Sequence, residues 1–165
     1  MKTMSKIILS TGILLSGVTF NIISIETPIT HAATTPHYTY NGYAGYNAKF
    51  VTEKAFINAL KHNNVTFNKV KVDAKIQNFK SGSTLTYQKK YDQEIEYINK
   101  KPDSITFMLH NKNLKVSDVK KAYAGYKMTN DKLHGAIIYN ANGKQISFAY
   151  NGKYVEKVMI GRYHA

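Results

Sequence analysis

The C-terminal part of the chain carries the clearest pattern of apolar and polar positions. Residues 134–162 read HGAIIYNANGKQISFAYNGKYVEKVMIGR, three short apolar runs separated by Asn142-Gly143 and Asn151-Gly152. Asn-Gly pairs tolerate the positive φ angles that tight hairpins need. In the middle run, residues 145–150, apolar positions alternate with small or polar ones, as they do in a half-buried strand. The pattern predicts a three-stranded antiparallel meander at the end of the chain.

Two segments upstream have apolar residues at helical spacing. The first spans residues 52–63, with Thr52 as the predicted N-cap and an apolar stripe along one face. The second spans residues 117–125, with Ser117 as the predicted N-cap. Two α-helices are therefore expected, one in each half of the chain.

Strand patterns lie between the two helices, at residues 65–72, 85–98 and 104–110. In the first of these the apolar phase changes part-way, which predicts a bulge or a bend. The resulting order, a helix with strands and then a helix with three strands, is consistent with a duplicated α-β-β-β unit. Tyr-Ala-Gly-Tyr also occurs twice, at 43–46 and 123–126, but the copies fall at different places relative to the helices, so we interpret this match as coincidence. The predicted fold class is α+β, with two helices packed on antiparallel sheet.

Residues 1–32 have the features of a cleaved secretory signal peptide. Lys2 and Lys6 precede a mostly apolar, uncharged segment at 7–25, and Thr30-His31-Ala32 has small residues at the first and third positions of a cleavage site. An uncleaved anchor is the alternative, because the apolar segment could nearly span a bilayer, but its several Ser, Thr and Asn residues disfavour it. The prediction is a single α+β domain at 33–165, without a transmembrane segment, released from the cell or held at its surface by charge.

The net charge and the tyrosine content of the chain indicate which classes of molecule it could bind. The chain has a formal net charge of +13 and contains 13 Tyr, and Arg162 is the only arginine among 23 basic residues. Lysine acts as a hydrated point charge rather than a bidentate fork, which favours loose attraction to phosphate, sulfate or an anionic polymer. The chain has no Cys, which excludes disulfides, thiolate metal sites and a cysteine nucleophile.

No set of residues in the sequence points to catalysis, a metal or another cofactor. There is no Gly-x-Ser-x-Gly motif, and no two histidines have metal-binding spacing. His134 would be a catalytic base only with a placed partner, so we interpret it as a polar residue at a strand entrance. Asp92, Glu94 and Glu96 are interleaved with lysines and are interpreted as a solvated, self-paired face. The chain is predicted not to be an enzyme, and a secreted nuclease is the least supported alternative.

Lysine and tyrosine are interleaved at several places, which is typical of surfaces that hold single-stranded nucleic acid by phosphate contacts and base stacking. The absence of a base-reading motif indicates binding without sequence preference. The predicted nucleic-acid-binding residues are Lys89, Lys90, Tyr91, Lys120, Lys121, Tyr123, Lys127, Lys153, Lys157 and Arg162.

The sequence resembles the immunodominant staphylococcal antigen B family. The resemblance lies in TPHYTYNGY at 35–43, in KAFINALKHNNVTFNKVKV at 54–72, in residues 120–123, and in the predicted C-terminal meander. It implies an exported protein that binds extracellular nucleic acids, DNA or RNA, without clear sequence preference. It implies no catalytic residues.

Two other classes of function remain open on the sequence. One is a secreted adhesin or inhibitor that binds a host or bacterial protein through its tyrosine-rich surface. The other is an envelope protein held electrostatically on anionic wall polymer or lipid.

Overall fold

The computed structural model describes residues 35–73, 75 and 81–163, so the predicted signal peptide and its cleavage site lie outside the described residues. In chain order the elements are β1 (Tyr38–Tyr40), a 3₁₀ helix (Ala48–Thr52), α1 (Lys54–Lys61), β2 (Val65–Phe67), β3 (Val70–Val72), β4 (Leu85–Lys90), β5 (Gln93–Ile98), β6 (Lys101–Met108), α2 (Val116–Ala122), β7 (Lys127–Asp131), β8 (Ala136–Ala141), β9 (Lys144–Asn151) and β10 (Tyr154–Ile160). The fold class is α+β, as predicted.

The larger sheet has seven strands in the order β4-β5-β6-β10-β9-β8-β7, and all neighbouring strands are antiparallel. The predicted C-terminal meander is confirmed as β8, β9 and β10. Asn142 and Gly143 have φ angles of 56° and 77° in the turn between the first two of these strands. The pattern did not predict β7, because this edge strand is mostly exposed and lacks apolar alternation.

The smaller sheet has three strands, and its order is β1-β2-β3. The predicted bend within residues 65–72 is a complete chain reversal, since Asn68 and Lys69 have φ angles of 47° and 71° and β3 pairs antiparallel with β2. The pair β1–β2 is parallel, which the expectation of antiparallel sheet did not include.

A similar reversal divides the predicted strand at 85–98 into β4 and β5. Tyr91 lies in the turn with a φ angle of 58°. Tyrosine at positive φ is uncommon, so the turn leaves no signal in the local sequence.

The two helices start at other residues than predicted. Thr52 belongs to the 3₁₀ helix, where its hydroxyl donates to the Lys49 carbonyl over 2.7 Å, and the N-cap of α1 is Glu53. The N-cap of α2 is Lys115 rather than Ser117. Five described strands follow α1 and four follow α2, so the suggested α-β-β-β duplication is not seen in the element order.

The hydrophobic core lies between one face of the seven-stranded sheet and a layer made by the helices and the smaller sheet. Phe50 and Phe67 of that layer contact Phe107 of β6, with ring centroids 6.1 and 6.0 Å apart. Burying large aromatic side chains contributes about 1.5–3 kcal/mol each, and this core therefore fixes the layers against each other without any disulfide.

Tyr123 is fully buried in this core, which contradicts its prediction as a nucleic-acid contact. Its ring stacks on Tyr139 at 4.9 Å, and its hydroxyl donates to the Val51 carbonyl over 2.8 Å. Burial raises the pKa of Tyr123 well above its usual value, so the hydroxyl stays protonated and remains a donor. No base can reach this ring.

We expect Tyr123→Phe to lower the free energy of unfolding by about 1 kcal/mol, because Val51 would keep a buried carbonyl without its donor. Urea denaturation measures the change. Tyr126→Phe is the matched control, since Tyr126 is half-buried and its hydroxyl has no hydrogen bond within the described residues. Equal midpoints for the Tyr123 variant and the wild type would contradict the assigned hydrogen bond.

Candidate nucleic-acid interface

The lysines of the described chain are not neutralised by the protein. Ion pairs in this part of the chain involve Arg162 and His134, and no described lysine takes part in one. Most of the lysines are exposed. Lys144 is buried, and that burial, together with nearby Lys75, lowers its pKa.

Four of the described carboxylates are engaged by groups other than lysine. Glu96 and Asp103 bind Arg162, and Asp92 accepts from the backbone N–H groups of residues 44 and 45. Asp131 accepts from His134 and from the Tyr163 hydroxyl. The positive field of the lysines therefore reaches solvent largely uncompensated, which makes phosphate a favourable partner.

Several of the predicted contact residues lie at one end of the seven-stranded sheet. The β4–β5 turn, the end of β6 and the β9–β10 turn all lie there, because Gln93 pairs with Phe107 and Lys157 pairs with Met108 in antiparallel register. Lys90 and Tyr91 are at this end, as is Lys153. The Val116 N–H at the start of α2 donates to the Lys153 carbonyl over 3.0 Å, so the helix begins beside that turn.

The segment Asn41–Asn47 is fastened across this end by side chains from three other parts of the chain. Asp92 accepts from the N–H groups of Ala44 and Gly45 over 2.9 and 2.7 Å. Asn68 accepts from the Gly42 N–H over 2.7 Å, and the Asn113 amide donates to the Gly45 carbonyl over 2.9 Å. A segment without regular structure is thus held in one conformation by hydrogen bonds.

The fastened segment presents Tyr43 and Tyr46 beside two residues from other turns. Tyr43 contacts Tyr91 edge-to-face at 5.2 Å, and Tyr46 stacks on His110 at 4.4 Å. The three tyrosines remain 56%, 60% and 57% exposed, in chain order. We call Tyr43, Tyr46, Tyr91 and His110 the aromatic cluster.

Of the aromatic cluster, the sequence predicted only Tyr91. The signal available was the repeat of Tyr-Ala-Gly-Tyr, but the second copy places Tyr123 in the core, so the repeat does not mark one function. Which copy is exposed depends on long-range packing that the motif does not encode.

A second group of lysines surrounds Tyr154 at the start of β10. The Lys112 ammonium lies 5.8 Å from the Tyr154 ring centroid, and Lys115 forms a β-bridge with Tyr154. Lys120 and Lys121 are exposed on α2, the helix that starts beside Lys153.

The remaining predicted lysines lie on other faces or at the other end of the sheet, although Lys89 and Lys157 are close along the strands to the residues of the first group. Lys89 and Lys90 point to opposite faces of the sheet, and Lys89 lies opposite Glu94 in the register. Lys157 shares the face of Lys89, in register with Met108. Lys127 begins β7 opposite Asn140, at the other end of the sheet. The structure thus distributes the predicted residues over several surfaces.

Arg162, which was predicted as a nucleic-acid contact, is engaged by two carboxylates of the protein. Its guanidinium donates to Glu96 over 3.1 Å and to Asp103 over 3.3 Å. The Asp103 side chain is fully buried, and that of Arg162 is only 16% exposed. This arginine serves to tie the end of β10 to β5 and β6.

His134 has a carboxylate partner that the sequence did not reveal. The ring Nδ1 of His134 lies 2.9 Å from Asp131 Oδ2, and the backbone N–H of His134 donates to Asp131 Oδ1 over 3.2 Å. The hydrogen bond from the His134 side chain is the main cause that lowers the pKa of Asp131. Both bonds close the short β7–β8 turn, and this explains the pair in structural terms.

Glu94 and Glu96 share the face of Lys89, whereas Asp92 is bound to the backbone of residues 44 and 45. Within residues 35–73, 75 and 81–163 no three acidic or histidine side chains cluster as metal ligands would. No helix in the same residues has the length and apolar character needed to cross a bilayer.

Comparison with known proteins identifies relatives of the chain. The family model described as immunodominant staphylococcal antigen B matches residues 37–160. Proteins of that name from Staphylococcus aureus strains USA300, NCTC 8325 / PS 47 and COL are each 38% identical over 140 residues, which covers 79% of this chain and 75% of theirs. No solved structure matches the chain.

We expect Arg162→Ala to lower the free energy of unfolding by about 3 kcal/mol, because the buried Asp103 carboxylate would lose its cation. Chemical denaturation followed by circular dichroism measures this loss. Adding Asp103→Asn to the variant should restore part of the stability, since it removes the buried charge that Arg162 had compensated.

Lys157→Ala is the control for Arg162→Ala. It removes a half-exposed cation that has no ion pair within the described chain, and it should change the unfolding free energy by less than about 0.5 kcal/mol. A loss for Arg162→Ala no larger than for this control would show that the pairing with Asp103 is not structural.

Proposed function

The chain belongs to the immunodominant staphylococcal antigen B family, and from this premise we propose that it is a secreted, non-catalytic protein that binds extracellular DNA or RNA without sequence preference. The apolar segment at 7–25 and the cleavage pattern at 30–32 support export. No cofactor is needed for this function.

The observation that carries the proposal is the uncompensated lysine charge. Asp92 is engaged by backbone N–H groups, Glu96 and Asp103 by Arg162, and Asp131 by His134, and no described lysine has an ion pair. When such lysines neutralise the phosphates of a nucleic acid, the small cations condensed around that polyanion are released, and this release favours binding. Phosphate backbones of DNA and RNA provide such a regular line of negative charge.

The type of cation supports binding to the backbone rather than to base edges. Bidentate recognition of guanine is most often made by arginine, and the only arginine is held by Glu96 and Asp103. Flexible lysines contact phosphates at many positions, which gives affinity without a preferred sequence.

A protein partner is the second candidate, and the exposed tyrosines favour it. Tyr43, Tyr46, Tyr87 and Tyr91 each expose more than half of their surface, and tyrosine is enriched in protein interfaces. Salt separates the two candidates, because a polyanion complex weakens steeply with salt whereas a tyrosine-anchored interface persists. Competition between DNA and heparin separates nucleic acid from anionic wall polymer or another generic polyanion.

The proposal is tested by fluorescence anisotropy of labelled oligonucleotides at a series of salt concentrations. We expect Lys120→Glu with Lys121→Glu to weaken binding on the order of tenfold at low salt. The slope of log affinity against log salt should fall by about two, because each lysine accounts for about one released counterion. The effect should be the same for oligonucleotides of different sequence.

Lys100→Glu with Lys101→Glu is the matched control. It makes the same change in net charge in the exposed β5–β6 turn, at the end of the sheet remote from the start of α2, and should weaken binding less. Unchanged affinity of the α2 variant would remove this helix from the interface. Failure of the wild type to bind any oligonucleotide at low salt would overturn the proposed function.

A further inference from the structure

We infer that the aromatic cluster is a stacking platform for unpaired bases, so that the protein binds single-stranded nucleic acid more tightly than duplex. The inference rests on the proposed function and adds to it a contact surface and a class of preferred ligand. Its basis is the geometry of Tyr43, Tyr46, Tyr91 and His110.

The backbone that carries part of the platform is held by hydrogen bonds within the protein. Asp92 holds the N–H groups of Ala44 and Gly45, and the Gly45 carbonyl accepts from the His110 N–H over 2.9 Å. A Cβ at position 45 would lie 1.9 Å from the Met108 carbonyl oxygen, so only glycine permits this close approach to β6. A backbone that is already held in one conformation loses little conformational freedom on binding, which increases the affinity that each stacking contact contributes.

The rings are open to solvent although they contact one another. Each of the three tyrosines exposes more than half of its surface, and they come from two separate parts of the chain. The Tyr43–Tyr91 contact is edge-to-face, with an interplanar angle of 79°, so the face of at least one of these rings is not covered by the other. Base-on-aromatic stacking contributes about 1–3 kcal/mol per base and tolerates every base.

Cations for the phosphates lie beside the platform. Lys69 and Lys90 line, together with Tyr91, a surface cleft of about 370 Å³. Asp92 is a carboxylate next to the aromatic cluster, and it is bound to backbone N–H groups and to the Gln93 side chain. Positive charge next to exposed rings favours a phosphodiester chain over a neutral glycan, which would also stack on tyrosine.

The platform distinguishes single-stranded nucleic acid from duplex. In a duplex each base face is covered by its neighbours, so the rings can stack only where bases are unpaired. The lysines contact the phosphates of both forms. The platform therefore adds affinity for single strands and leaves duplex binding to the lysines.

The test compares Tyr43→Ala with Tyr46→Ala, as a double variant, against the wild type. Binding to a single-stranded oligonucleotide and to a blunt duplex of equal phosphate number is measured at one salt concentration. We expect a loss of roughly 30-fold for the single strand, from two stacking contacts at the low end of their range, and less than about twofold for the duplex. Quenching of a 2-aminopurine base in the single strand should also be lost.

Two further variants control for folding and for exposed tyrosine in general. Tyr43→Phe with Tyr46→Phe keeps both rings and should keep single-strand binding. Tyr87→Ala removes a ring that is 60% exposed on β4, outside the cluster, and should leave single-strand binding unchanged. Loss of binding in the Phe variant, or an equal loss in the Tyr87 variant, would overturn the stacking assignment.

The outcomes separate this inference from the proposed function. A wild type that binds single strand and duplex equally, with no selective loss in the Ala variant, overturns the platform and leaves nucleic-acid binding intact. A wild type that binds neither at low salt overturns both. Displacement of the single strand by a neutral N-acetylglucosamine oligosaccharide would show that the rings serve a glycan, and would overturn the assignment to bases.

Discussion

The pairing of β6 with β10 is the interaction on which the rest of the described structure depends. It joins two meanders, β4–β5–β6 and β7–β8–β9–β10, into one sheet. Ile105 and Phe107 pair with Ile160 and Val158, and all four are buried. Without this pairing each meander would have one more open edge, and the apolar face that packs on the helices would be divided between two separate sheets.

Two of the polar networks among the described residues lie at the two ends of that pairing. At one end, Arg162 comes directly after β10 and reaches Asp103 on β6. At the other end, the last residues of β6 support Gly45 and thereby the exposed aromatic cluster. The arginine and the aromatic cluster are thus at opposite ends of the sheet, where one contributes to cohesion and the other remains open to solvent.

Local patterns predicted the parts of the fold that depend on local chemistry. The C-terminal meander was predictable because Asn-Gly turns and alternating residues specify it within a short stretch. The turn at Tyr91 was not, since tyrosine seldom adopts the positive φ that it has there. The first residues of the helices were not predictable either. The N-caps are Glu53 and Lys115, although Thr52 and Ser117 belong to residue types that cap helices better.

The candidate nucleic-acid interface was also only partly predictable from the sequence. Sequence placed lysine and tyrosine near each other but did not distinguish Tyr123, which the core buries, from Tyr43 and Tyr46, which lie outside. Burial of one ring and exposure of another depend on residues far along the chain, such as Asp92 and Tyr139. The sequence therefore could not indicate which tyrosines are exposed, because that depends on tertiary packing.

Three of the tight turns place Lys69, Tyr91 and Lys112 at φ angles of 71°, 58° and 48°. A left-handed backbone costs a residue with a side chain roughly 1–2 kcal/mol, which glycine would avoid. Selection for stability alone would favour glycine at these positions, yet the chain keeps a cation or an aromatic ring at each. The folded state is thus less stable than its architecture allows at these turn tips, and such a loss of stability is expected where exposed side chains are retained for binding.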